Sequence, residues 1–174
     1  MQADFDRFMT GLEIAGSRID AHYFQIRVSG AEDPIYRERV YCYELYHQLR
    51  VALGDIFEYK LDGELDKKNH SILVRLGARK PDLVVHVPGN MDGNLVVIEV
   101  KKVETRKQLL ENDLCKLMKF LDDGNYFRGI MLVYGDGYQK LPDWIRDKVL
   151  QLQESRLALV WHAGPGESPR IING

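Results

Sequence analysis

Residues 81–103 read PDLVVHVPGNMDGNLVVIEVKKV. Two β-rich runs, 81–87 and 95–103, flank the turn-forming PGNMDGN, which is the pattern of a β-hairpin. Side chains alternate between faces along a strand. Val96, Ile98 and Val100 therefore point one way, into a core, while Glu99 and Lys101 share the other face with Leu95 and Val97. A carboxylate and an ammonium on so apolar a strand call for partners or a metal, because such groups are rarely buried alone. If Pro88 pairs with Gly93 around a loop formed by Gly89, Asn90, Met91 and Asp92, Asp82 falls opposite Glu99 and Val84 opposite Val97. An even loop keeps Asp82 and Glu99 on one face, and an odd loop separates them; a bulge changes the count.

Two carboxylates converging on one face suit Mg²⁺, a hard cation that takes oxygen ligands and keeps several waters; Mn²⁺ is the expected substitute. Asp82 and Glu99 are the candidate ligands, and the backbone carbonyl of Val100 is a further one. A water acidified by such an ion is a nucleophile at neutral pH. Lys101, two residues from Glu99, is placed to touch that water or an attacked phosphate. Plainer roles stand beside these. Asp82 can cap a turn after Pro81, and Glu99 with Lys101 can form a solvated pair on an edge strand.

Outward from the hairpin, residues 3–15 fit a short helix, and residues 22–29, HYFQIRVS, fit a strand followed by a GAEDP turn. Residues 35–53 repeat Tyr41, Leu45, Leu49 and Ala52 at helical spacing and stop at Gly54. Residues 56–61 fit a strand entering an Asp62-Gly63 turn, and residues 72–76 another. After the hairpin, residues 105–123 form a helix with Leu110, Leu114, Leu117 and Leu121 on one side and Gly124 at its end. Residues 128–134 are a strand, 142–154 a helix opened by Pro142, and 156–162 a last strand. The Gly/Pro-rich tail reads as irregular. The order predicts an α/β fold, a central mixed β-sheet flanked by helices.

The 174 residues suit one domain, 1–174, with a core at about 36–163 and an N-terminal extension over 1–35. The composition, 45% hydrophobic and 29% charged, is that of an ordinary globular chain. The net charge of −2 excludes a global attraction to nucleic acid, so any such contact must be local. Clustered metal-binding carboxylates themselves lower that count. Cys42 and Cys115 lack any CxxC spacing, which argues against a disulfide scaffold or zinc knuckle and for a reducing, cytoplasmic setting. The acidic opening is not read as a signal peptide. No apolar run approaches the ~20 residues that span a bilayer, so no membrane partner is expected.

Pro81-Asp82, followed after sixteen residues by Glu99-Val100-Lys101, resembles the bipartite PD…(D/E)xK signature of the restriction-endonuclease-like nucleases. The resemblance extends over about residues 36–135. It implies a restriction-endonuclease-like core in which the motif hairpin follows one helix and precedes another helix and a strand. It further implies a metal-dependent nuclease acting on nucleic acid, with DNA as the expected partner, and a homodimer as one assembly that cuts two strands. By the same resemblance Glu44, in the preceding helix, faces the metal, and Lys116, in the following helix, is aimed at the site or phosphate. Glu44 as an exposed helix charge and Lys116 as a boundary lysine along an amphipathic helix are the plainer alternatives. For the whole chain, the alternative is a nuclease-fold binding or assembly module without catalysis.

Secondary candidates are weaker. Glu64 flanks a turn near the hairpin. His86 lies on the site face, whereas the five histidines share no metal spacing. Tyr36, Tyr41, Tyr43 and Tyr46 are too many for one buried helix face, so some are candidates for a partner surface or a base-stacking platform. Arg75, Arg79, Lys80, Arg106 and Lys107 flank the hairpin as candidate phosphate contacts.

Overall fold

The computed structural model describes residues 1–63 and 80–172. Helices α1 (Gln2–Gly16), α2 (Ala21–Phe24) and α3 (Glu38–Leu53) precede strands β1 (Lys60–Gly63), β2 (Leu83–His86) and β3 (Asn94–Lys102). Helix α4 (Lys107–Asp122), strand β4 (Arg128–Tyr134), helix α5 (Asp143–Leu150) and strands β5 (Leu157–His162) and β6 (Arg170–Ile171) follow. The expected strand at 72–76, and Glu64, His70, Arg75 and Arg79, lie outside the described residues.

The six strands form one mixed sheet in the order β1-β2-β3-β4-β5-β6. β1, β2 and β3 are antiparallel, β3, β4 and β5 are parallel, and β6 returns antiparallel. The expectation of a mixed sheet flanked by helices holds. β3 is central and is buried from Asn94 through Val100. Its Val96, Ile98 and Val100 are fully covered, and each such side chain contributes roughly 1.5–3 kcal/mol relative to exposure.

The two faces of the sheet carry different partners. Val97, Glu99 and Lys101 pair in register with Gly129, Met131 and Val133. Gly129 packs against Leu121, so this face lies under α4, whose Leu110, Leu114, Leu117 and Leu121 are all buried as the heptad-like spacing predicts. The opposite face carries Val100 and Tyr134 and lies under α3: Tyr41 stacks on Tyr134 with ring centroids 3.9 Å apart. α1 packs in turn on α3. Gly54 ends α3 at φ 66°, a backbone state suited to glycine. At Gly124 a Cβ would stand 2.5 Å from the Phe120 carbonyl oxygen, which explains the glycine after α4.

Several expectations are corrected. Residues 22–29 are not a strand. Asp20 accepts the His22 N–H at 2.9 Å and caps the short α2, leaving a single bridge between Ile26 and Ile35. Asp62 and Gly63 are within β1 rather than a turn. α3 buries Leu53 at its last position, while Ala52 is only partly covered. α5 stops at Leu150, and the tail forms β6 against Val160 and Trp161. In the hairpin, the Val87 N–H donates to the Gly93 carbonyl at 2.9 Å, so the loop is Pro88 to Asp92, an odd length. Val85 pairs with Val96 but His86 with Asn94, leaving Leu95 as a bulge. The two irregularities cancel, and Val84 lies opposite Val97 as expected.

The α3 face also buries His162, which is fully covered. The Tyr41 phenol and His162 Nδ1 are 2.7 Å apart, and Phe24 packs edge-on against the imidazole at 4.6 Å. Burial holds the His162 pKa down at about 4. A histidine depressed in the folded state stabilises the fold fully above its unfolded pKa of about 6.5 and loses that contribution as pH falls toward 4. The full swing is about 3 kcal/mol. Urea unfolding midpoints should therefore fall between pH 6.5 and 4.5, and the slope should flatten in His162→Gln; parallel slopes would count against it.

Candidate active site

Asp82 stands one residue before β2, after the buried Pro81. The backbone ladder between β2 and β3 ends at Leu83 and Ile98, so the next inward-facing donor of β3, the Val100 N–H, has no strand partner on that side. Asp82 Oδ2 accepts it at 2.7 Å. In extended backbone a residue's N–H and C=O point to the same side, so the Val100 carbonyl is directed toward the same edge as Asp82.

Glu99 is 1% exposed. Its Oε2 pairs with Lys116 Nζ at 2.6 Å, while Oε1 is buried with no hydrogen-bond partner. Lys116 also bonds Asp113 Oδ1 at 3.2 Å and the Lys80 carbonyl at 3.1 Å. Asp113 presents its other oxygen to Lys101 at 2.9 Å. Lys101 in turn meets Glu38 Oε2 at 3.1 Å, and Glu38 Oε1 accepts the Lys102 N–H at 3.2 Å. Glu99, Lys101 and Lys116 are thus tied into one net with Glu38 from the start of α3 and Asp113 from α4, and Asp82 acts on it through its charge.

The charges in this net do not balance. Burial raises the Asp82 carboxyl pKa against the pull of the Val100 N–H and the two lysines. Burial, then the Asp82 charge, pushes Glu99 well above the ordinary carboxylate range despite Lys116. Glu38 and Asp113 hold Lys101 protonated against its own desolvation, and Glu99 does the same for Lys116. The Cys42 thiol, on α3, is pushed up by burial and then by the fields of Asp82 and Glu38. Two carboxylates here are short of positive charge, and one buried oxygen is unsatisfied.

Glu44 lies apart from this net. Its carboxylate accepts from Gln48 Nε2 at 2.7 Å, and six residues of helix turn it about 120° away from Glu38. Glu38, not Glu44, is the α3 carboxylate bonded to Lys101 and to the Lys102 N–H. Two signals were available for the members not singled out by the motif. Glu38 lies in the first turn of α3, where a carboxylate is favoured. Asp113 precedes Lys116 by three residues, a facing pair on a helix. His86 is buried and bonded to Asp62 at 2.8 Å. Tyr41 belongs to the core, Tyr36 bonds the Asp136 backbone, and Tyr43 is exposed. Both cysteines are free.

Among the described residues, no group of three or more His, Cys, Asp or Glu side chains is spaced to hold a metal ion; lysines interleave the carboxylates instead. The bare Oε1 of Glu99 and the raised Asp82 nevertheless fit an added cation. No helix among the described residues is long and apolar enough to cross a membrane. Comparisons with protein-family models, curated proteins and solved structures found no match.

Proposed function

We propose that this chain is a divalent-metal-dependent nuclease with a restriction-endonuclease-like core, hydrolysing phosphodiester bonds of DNA. The observation that carries the reading is Glu99: a carboxylate buried beside Asp82, with one oxygen unpaired and Lys101 two residues along the same strand face. Asp82, Glu99 and the Val100 carbonyl are the ligands proposed for Mg²⁺ or Mn²⁺; Glu44 is not retained. When bound, the ion supplies positive charge and an acidified water.

The protein's own groups do the rest. Lys101 donates to the water or to a phosphate oxygen and offsets the negative charge that grows during attack. Lys116 opposes the rise in the Glu99 pKa and holds its Oε2 in place. Asp113, bonded to both lysines, fixes their positions. Glu38 holds Lys101 from the other side, so the ammonium is aligned before substrate arrives. The free cysteines accord with a reducing cytosol.

The ion-paired state of both lysines favours a second reading, a nuclease-fold binding or assembly module whose buried charges are satisfied internally. Incubation of the wild type with plasmid and single-stranded DNA separates them. Cleavage in Mg²⁺ or Mn²⁺ that stops with chelator is expected, and no cleavage of either substrate in either metal overturns the nuclease reading.

A further inference from the structure

A cleft of about 690 Å³ opens between α3 and the β1–β2 edge, with Asp82 and Glu38 in its wall. It is therefore continuous with the site. Its volume lies in the ~300–1,000 Å³ range of small-molecule pockets, which admits a nucleotide and not a duplex. Tyr43 and Tyr46 line it from α3, and Leu83 from β2. Tyr43 is 62% exposed, so its ring is open to a ligand, whereas its helix neighbours Tyr41 and Leu45 are buried. Tyr46 is held by Arg50, whose Nη1 donates to its hydroxyl at 3.3 Å.

The charge of the lining selects which part of a nucleotide can enter. Glu38, Asp62 and Asp82 contribute carboxylates, and Arg39 is the cation among the described lining residues. Phosphate is repelled by such a wall. A neutral base is not: its face stacks on tyrosine, and its exocyclic amines donate to carboxylates. A base in a duplex cannot offer its face to a side wall without leaving the stack.

We infer that this cleft seats one unpaired base of single-stranded DNA next to the scissile phosphate, with Tyr43 as the stacking ring. The identity of the polymer rests on the nuclease reading; the stacking site does not. Single-stranded substrate then reaches the Asp82–Glu99 site without unpairing, and duplex must first open.

The test is fluorescence anisotropy with a labelled single strand of about 12 nucleotides, within the usual span of a single-strand site, and its duplex. Ca²⁺ replaces Mg²⁺ so that oxygen ligands are engaged. The single strand should bind more tightly than the duplex. Tyr43→Ala should weaken single-strand binding about tenfold, one stacked base's worth, and leave duplex binding unchanged, while Tyr43→Phe retains the wild-type affinity. Equal binding of the two forms, no binding of the single strand, or an unaffected Tyr43→Ala overturns the inference. Tyr43-dependent binding by a chain that cleaves nothing in Mg²⁺ or Mn²⁺ would remove the nuclease reading and leave the base site standing.

Discussion

Lys101→Ala is expected to slow DNA cleavage by about 10²–10³-fold, the usual consequence of removing one preorganised charge that faces the transition state. The fall should appear in kcat with KM little changed, because the lost interaction strengthens as charge develops during attack. The fold should tolerate the change. Lys101 pairs with Glu38 and Asp113, whose carboxylates retain some contact with solvent, and Asp113 keeps Lys116. Metal binding should survive or strengthen, since a competing cation has been removed from beside Asp82. Steady-state cleavage in Mg²⁺, paired with Mn²⁺ titration of the same variant, checks both halves. A variant that cleaves at the wild-type rate would make Lys101 a structural ion pair only.

Lys116→Ala carries the largest stability effect. It leaves Glu99 buried beside Asp82 without its 2.6 Å partner. Breaking a buried pair from one side costs about 3 kcal/mol or more, roughly 6–12 °C in Tm for a domain of this size. The mechanism predicts its own repair. Adding Glu99→Gln removes the stranded charge, so the double variant should recover much of the loss. Thermal unfolding of the two single variants, the double variant and the wild type closes the cycle. Additive losses would mean that Lys116 stabilises through Asp113 and the Lys80 carbonyl, and not through Glu99.

The parts of the fold that were legible in the sequence follow from periodicity. The alternation of Val96, Ile98 and Val100 with Glu99 and Lys101 separated the two faces of β3, and the leucine spacing marked α4 as a helix with one buried side; that α4 covers the Glu99 face is seen only in the packing. The strand counterpart at residues 22–29 misled because its apolar alternation is overridden by the Asp20 cap. β6 is too short and too polar to announce itself; only pairing with Val160 and Trp161 makes it a strand. The Asp82–Glu99 relation is the instructive case. The loop is one residue longer than the four expected, and the Leu95 bulge removes the discrepancy, so the right register follows from an incomplete count.

Around Glu99, the motif named Asp82, Glu99 and Lys101 and the resemblance named Lys116, and the structure places Lys116 against Glu99 and Lys101 against Asp113. Glu38 rather than Glu44 is the α3 carboxylate bonded to Lys101, a choice the sequence left open because one helix offers carboxylates at several positions. Asp113 escaped notice because it is a positioning group. Its importance lies in holding two lysines at once, a relation between α4 and β3 that no local pattern encodes.

Isothermal titration with Mn²⁺ tests the central claim, that Asp82 and Glu99 form a cation site, without relying on catalysis. The wild type should bind Mn²⁺ with an affinity that rises with pH, because Glu99 is held above the usual carboxylate range and must be deprotonated to coordinate. Asp82→Ala should abolish that binding. Absence of Mn²⁺ binding by the wild type, or equal binding by Asp82→Ala, would contradict the metal site.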